Sequence, residues 1–140
     1  MYRQNARADY LALAKCRKRI GKRIQKAIKK QLQYVRRDLR YIDEYLAQGI
    51  GFDAGQIERI NVIRKVYEQH VYMYCNKTHT VPDRIVSISQ PYIRPIVRGK
   101  VKAPTEFGAK LNLSIENGFA RVEKLSFDPY NESDVLISAA

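Results

Sequence analysis

"IGKRIQKAIKKQLQYVRRDLRYIDEYL", residues 20–46, is the stretch on which the fold class turns. Ile20, Ile24, Ile28, Leu32, Val35, Leu39, Ile42 and Leu46 recur every three or four residues, the one-face periodicity of a long amphipathic helix. The other faces carry Lys22, Arg23, Lys26, Lys29, Lys30, Arg36, Arg37 and Arg40. Tyr10, Leu11 and Leu13 precede the basic run, so the pattern extends the helix back to a start as early as Asp9. On that reading Gly21 sits in the interior and weakens the helix by about 1 kcal/mol relative to Ala.

On the C-terminal side, "GIGFDAG" (Gly49 to Gly55) ends the helix, because glycine takes the left-handed C-terminal position cheaply, and Asp53 caps the next element. Ile57, Ile60, Tyr67, Val71 and Tyr74 then form a second helical stripe, interrupted by Arg64. It closes near "CNKTHTVPD", where Pro82 prevents continuation. Residues 1–82 therefore read as an antiparallel, basic helical hairpin.

Beyond Asp83 the period changes. "RIVSIS" is a short β-branched run, "KLNLSI" puts Leu111, Leu113 and Ile115 on one face, and "FARVEKLSF" is a further strand. Glu116-Asn117-Gly118 joins the last two, and Asn-Gly between alternating runs is the strongest short-range hairpin signal. Asp128-Pro129 then turns the chain, and Asn131 or Ser133 caps a final helix with Glu132 and Asp134 in its first turn. Two or three strands with one starting helix neither close a sheet nor cover its faces, so the expectation is a piece of a larger fold. The class is α+β: helical hairpin over residues 1–82, partial antiparallel sheet over 83–140.

Charge narrows the partner. The chain has 140 residues, 26 Lys and Arg against 14 Asp and Glu, and a net charge of +12. Residues 1–50 hold 14 basic and 4 acidic side chains, so the usual pairing of a helix surface is missing there and a polyanion is expected. "QPYIRPIVRGKVKAPTEFGAK" (Gln90 to Lys110) forms a second cationic zone, holding Arg94, Arg98, Lys100 and Lys102 among three prolines that lower the entropy lost on gripping phosphate. It is not a P-loop, since Val101 follows Gly99-Lys100. Ten tyrosines permit base stacking, although no RNA-recognition motif accompanies them.

Other chemistries are poorly supplied. Cys16 and Cys75 stand far apart, the pattern of reduced thiols in a cytoplasmic protein, and no apolar run is long enough for a membrane span. His70, Cys75 and His79 are too few for structural zinc, and Cys16 is remote in sequence. Turn and capping roles account for Asp128, Glu132 and Asp134. No catalytic constellation and no metal site is read from the residues.

"DRIVSISQPYIRPIVRGKVKAPTEFGAKLNLSIENGFARVEKLSFDPYNESDVL", Asp83 to Leu136, closely resembles a segment of bacterial insertion-sequence transposases that carry an Asp-Asp-Glu metal-binding triad. "YRQNARADYLALAKCRKRIGKRIQKAIKKQLQYVRRDLRYIDEYL" is similar to the basic helical region preceding it in that family. The resemblance implies an RNase H-like core, with the three strand runs in its sheet and the helical hairpin as an insertion. It also implies a parent that transposes DNA using Mg2+. The family's first Asp lies upstream of the matched segment and its second Asp and Glu lie downstream. None of those motifs occurs in residues 1–140, so the chain is expected to be an internal fragment, inactive alone, with no cofactor of its own. Asp83, Asp128 and Glu132 are not promoted to fill the gaps.

The expected role is DNA contact in a nucleoid-associated, cytoplasmic setting. Lys22, Arg23, Lys26, Lys29, Lys30, Arg36, Arg37 and Arg40 act from the hairpin, and Arg94, Arg98, Lys100 and Lys102 from the loop. The transposase assembly or a homodimer is the protein partner. The alternative is a non-enzymatic module whose Ile, Leu and Tyr side chains mediate protein association.

Overall fold

A computed structural model describes residues 2–97, 105–128 and 130–131. Helices α1 (Tyr2–Ala14), α2 (Gly21–Ala47) and α3 (Ala54–Cys75) are followed by strands β1 (Pro95–Val97), β2 (Thr105–Phe107), β3 (Lys110–Glu116) and β4 (Phe119–Ser126). The chain divides into two compact units, Met1–Pro82 and Asp83–Ala140. The class is α+β, with three helices and two small antiparallel sheets.

The helical unit differs from the expected two-helix hairpin, because α1 is a separate helix. Lys15, Arg17, Lys18 and Arg19 crowd four like charges into five positions, an arrangement that disfavours one continuous helix. The last turn of α1 closes with short-range bonds from Lys15 N–H to the Leu11 carbonyl and from Cys16 N–H to that of Leu13. Arg19 Nη2 donates to the Ala14 carbonyl at 2.7 Å. Ile20 is extended, and Gly21 becomes the first residue of α2, where the interior glycine penalty does not arise. The chain thereby reverses, and α1 runs back along α2: Asp9 reaches Lys30, Ala6 reaches Gln31 and Tyr2 reaches Arg37.

The α2–α3 connection follows the sequence reading. Gly49 has φ +77°, and the N–H groups of Gly49 and Ile50 return to the carbonyls of Leu46 and Tyr45, the paired bonds of a Schellman ending. Asp53 then starts α3 with a reciprocal capping box: its carboxylate accepts the Gln56 N–H at 2.8 Å, and the Gln56 side chain accepts the Asp53 N–H at 3.0 Å. Leu39, Ile60 and Met73 are the buried apolar side chains of this unit.

α3 ends at Cys75, within the stretch read as its close, but the stop comes ahead of Pro82, where Lys77 takes φ +52° and Thr78 N–H returns to the Met73 carbonyl at 3.1 Å. A left-handed residue ends the helix here, as glycine does after α2, but it is a lysine.

In the second unit "RIVSIS" does not form a strand. β-branched residues fit a pleated surface only where a neighbouring strand supplies one, and the run instead ends in a turn closed by Gln90 N–H on Ser87 Oγ at 3.2 Å. The supposed loop from Gln90 to Lys110 contains β1 and β2, paired antiparallel with Ile96 opposite Glu106. β3 and β4 form the expected hairpin, turning at Asn117 and Gly118 with φ +52° and +84°. Leu111 faces Leu125, Leu113 faces Val122 and Ile115 faces Ala120, with a bulge after Asn112. Lys110 and Lys124 hold the Tyr130 ring at 4.5 and 4.4 Å, and Tyr92 meets Phe127 edge-on at 4.7 Å. The expected final helix falls in 132–140, outside the described residues.

Candidate nucleic-acid interface

α2 is flanked on both sides. α1 approaches through positions 30, 31, 34 and 37, and α3 through Leu39, Asp43 and their neighbours, roughly opposite flanks at about 100° per residue. Between the flanks, on the side away from the apolar stripe, lies an exposed crest formed by Lys22, Lys26, Lys29, Gln33, Arg36 and Arg40. Their spacings of four, three, four, three and four residues make a straight line of about 27 Å at roughly 1.5 Å rise per residue. The amphipathic pattern that buries Leu39 therefore also aligns the cations.

The eight helix cations singled out from sequence fall into two groups. Lys22, Lys26, Lys29 and Arg36 are exposed and make no hydrogen bond or ion pair among the described residues. Arg40 shares their line; its contact with Glu44 at 3.3 Å is exposed on both sides and its guanidinium lies 5.3 Å from the Tyr41 ring. Solvent-exposed ion pairs of that kind hold their partners weakly.

The other three build the fold. Lys30 donates to Asp9 Oδ1 at 2.8 Å while Tyr34 donates its hydroxyl to Asp9 Oδ2 at 2.9 Å. These bonds hold the Asp9 carboxyl below its ordinary value of 3.8, with Lys30 the larger cause, and Asp9 in turn raises Lys30 and Tyr34. Arg37 is held by Asp38 at 2.7 Å and lies 4.0 Å from the centroid of Tyr2 and 5.6 Å from that of Tyr34. Arg23 donates to Cys16 Sγ at 2.8 Å, tying the α1–α2 turn to the first turn of α2.

Two grooves border the crest. One, of about 240 Å³ between α1 and α2, is lined by Arg23, Lys26 and Lys30 with Asp9 and Cys16. The other, of about 540 Å³ between α2 and α3, is lined by Arg36, Arg37, Arg40 and Arg64 with Asp43, Glu68 and Tyr67. Arg64, which pairs with Asp43 and lowers its carboxyl, is visible in the sequence only as a break in the α3 stripe. Gln33, in the middle of the crest, carries no signal there because it is uncharged.

The loop cations are not gathered in this way. Arg94 is half-buried, and its Nη1 donates to the carbonyls of Pro91 and Ile93, so its guanidinium is turned onto its own loop. Arg98, Lys100 and Lys102 lie outside the described residues. Among the described residues no three His, Cys, Asp or Glu side chains come together as a metal would require, and no helix is long and apolar enough to cross a membrane. Comparison with protein-family models, with curated proteins and with solved structures finds no match to this chain.

Proposed function

We propose that this chain is the DNA-holding part of an insertion-sequence transposase, gripping the sugar-phosphate backbone along the α2 crest. The carrying observation is the line of five exposed cations, Lys22, Lys26, Lys29, Arg36 and Arg40, beside three that are occupied within the fold. Each such cation that neutralises a phosphate releases counterions condensed on the nucleic acid, whereas a merely solvated surface of this charge density repels itself. The resemblance of residues 83–136 supplies the parent class, in which β3 and β4 belong to the sheet of an RNase H-like core.

In that parent, Mg2+ serves phosphoryl transfer between DNA strands. The described residues do not fit such a metal site, since no acidic cluster is present among them, and no chemical step is assigned to this chain. Its contribution is binding and positioning.

A second reading has its own observation. Leu111, Leu113, Ile115, Val122 and Leu125 share one face of the β3–β4 hairpin and are half or more exposed, which favours protein association. Titration of the purified chain with DNA at about 50 and about 200 mM salt separates the two. The DNA reading expects affinity to fall steeply over that interval. Association without DNA binding at either salt overturns it.

A further inference from the structure

The crest also carries information on the state of the DNA strand, an inference that rests on the DNA-holding reading above. α2 is poorly placed to enter a major groove, because that groove is about 12 Å wide and admits one helix of about 10–12 Å, whereas α2 has α1 packed on one flank and α3 on the other, and packed helices generally lie about 8–10 Å apart. The remaining mode is contact along a backbone. A duplex winds away from a straight rod, so it meets a linear row of cations over only part of its length. A single strand is free to straighten, and its phosphates follow the row turn by turn.

Aromatic side chains complete the arrangement. Tyr2 and Tyr34 are occupied: both rings approach Arg37, and the Tyr34 hydroxyl donates to Asp9. Tyr45 has no ring contact among the described residues, and the ring of Tyr41 meets Arg40, itself a member of the crest. Tyr41 and Tyr45 lie one turn apart, 41% and 49% exposed, continuing the flank of α2 that carries Lys30, Tyr34 and Arg37; Tyr41 adjoins Arg40 at the end of the crest, and Tyr45 follows one turn further on. The only ring contact described for either is Arg40 over Tyr41 at 5.3 Å. A cationic track beside exposed aromatic faces is the combination by which single strands are held without sequence preference, phosphates on the cations and bases stacked on the rings.

We propose that α2 binds single-stranded DNA in preference to duplex, its backbone along Lys22, Lys26, Lys29, Arg36 and Arg40 and successive bases stacked on Tyr41 and Tyr45. In a DNA-holding protein this surface takes a melted end or a displaced strand rather than an intact helix.

The test compares the full chain on fluorescent oligo(dT) of about 20 nucleotides and on a duplex of equal length at about 100 mM salt, by anisotropy. The expected result is single-strand binding at least about tenfold tighter than duplex binding. Tyr41→Ala with Tyr45→Ala weakens the single-strand complex by roughly ten- to a hundredfold and leaves the duplex complex unchanged; the double Phe variant keeps wild-type binding. Circular dichroism establishes that the Ala variant retains its helices, and if it does not, the comparison on the unsubstituted chain decides. Duplex binding as tight as single-strand binding, or single-strand binding indifferent to loss of both rings, overturns the inference while leaving DNA holding intact. Binding of neither overturns both.

Discussion

Asp9 shows how one carboxylate divides the cations into those that hold the fold and those that face outward. Its two oxygens are shared between Lys30 and the Tyr34 hydroxyl, and this pair of contacts fixes α1 against α2. A carboxyl whose folded value lies below 3.8 stabilises the fold at neutral pH, and that contribution is lost as pH falls through the folded value. Asp9→Asn is therefore expected to lower the melting temperature by on the order of a few degrees at neutral pH and to remove part of the decline that the unsubstituted chain shows between about pH 5 and about pH 3. Thermal melts across that range check it; parallel curves for the two proteins would remove Asp9 from this role. Lys30→Gln should reproduce the neutral-pH loss and Lys29→Gln should not, since Lys29 has no such contact. In the sequence Lys29 and Lys30 are equal members of one basic face. The return of α1 separates them, and a contact between residues 21 apart leaves no local signal.

Elements are legible where chemistry is local and lost where a neighbour decides. The α2 periodicity, the Gly49 ending, the Asp53 cap and the Asn117-Gly118 turn each depend on a few adjacent residues, and each forms as read. "RIVSIS" stays irregular because a strand needs a partner, and β1 and β2 are hidden because three-residue strands between prolines and glycines carry no alternation. Pro82 is the stop that the sequence offers for α3, although Lys77 in a left-handed conformation makes the actual one. That residue supplies a prediction of its own. A lysine at φ +52° carries a steric penalty that glycine avoids, so Lys77→Gly is expected to stabilise the helical unit by about 0.5–1 kcal/mol. Gly49→Ala, at φ +77°, should destabilise it by about 1 kcal/mol or more. Urea midpoints measure both, and changes of the same sign at the two positions would contradict this account of the helix ends.

At the scale of the whole molecule, a formal charge of +12 favours an anionic partner without saying where one would bind. The fold makes the distribution specific by engaging Arg23, Lys30 and Arg37 internally and leaving Lys22, Lys26, Lys29, Arg36 and Arg40 in line. If the crest holds DNA, removing charge from the two sets should have unequal effects on binding, charge for charge. Each phosphate neutralised contributes about 0.9 to the slope of log affinity against log salt on duplex and about 0.7 on a single strand. Changing the five crest cations to Gln should flatten the slope by roughly 3.5 on a single strand and up to about 4.5 on duplex, if every one engages a phosphate. The crest is solvated, so those changes should barely alter the melting temperature. Changing Arg23, Lys30 and Arg37 to Gln should do the reverse, lowering the melting temperature while flattening the slope by less than about 1. Salt titrations and melts on the two variants decide the matter. Slopes falling in proportion to charge removed, regardless of set, would mean that the chain attracts DNA through its overall field and that the crest has no special part in holding it.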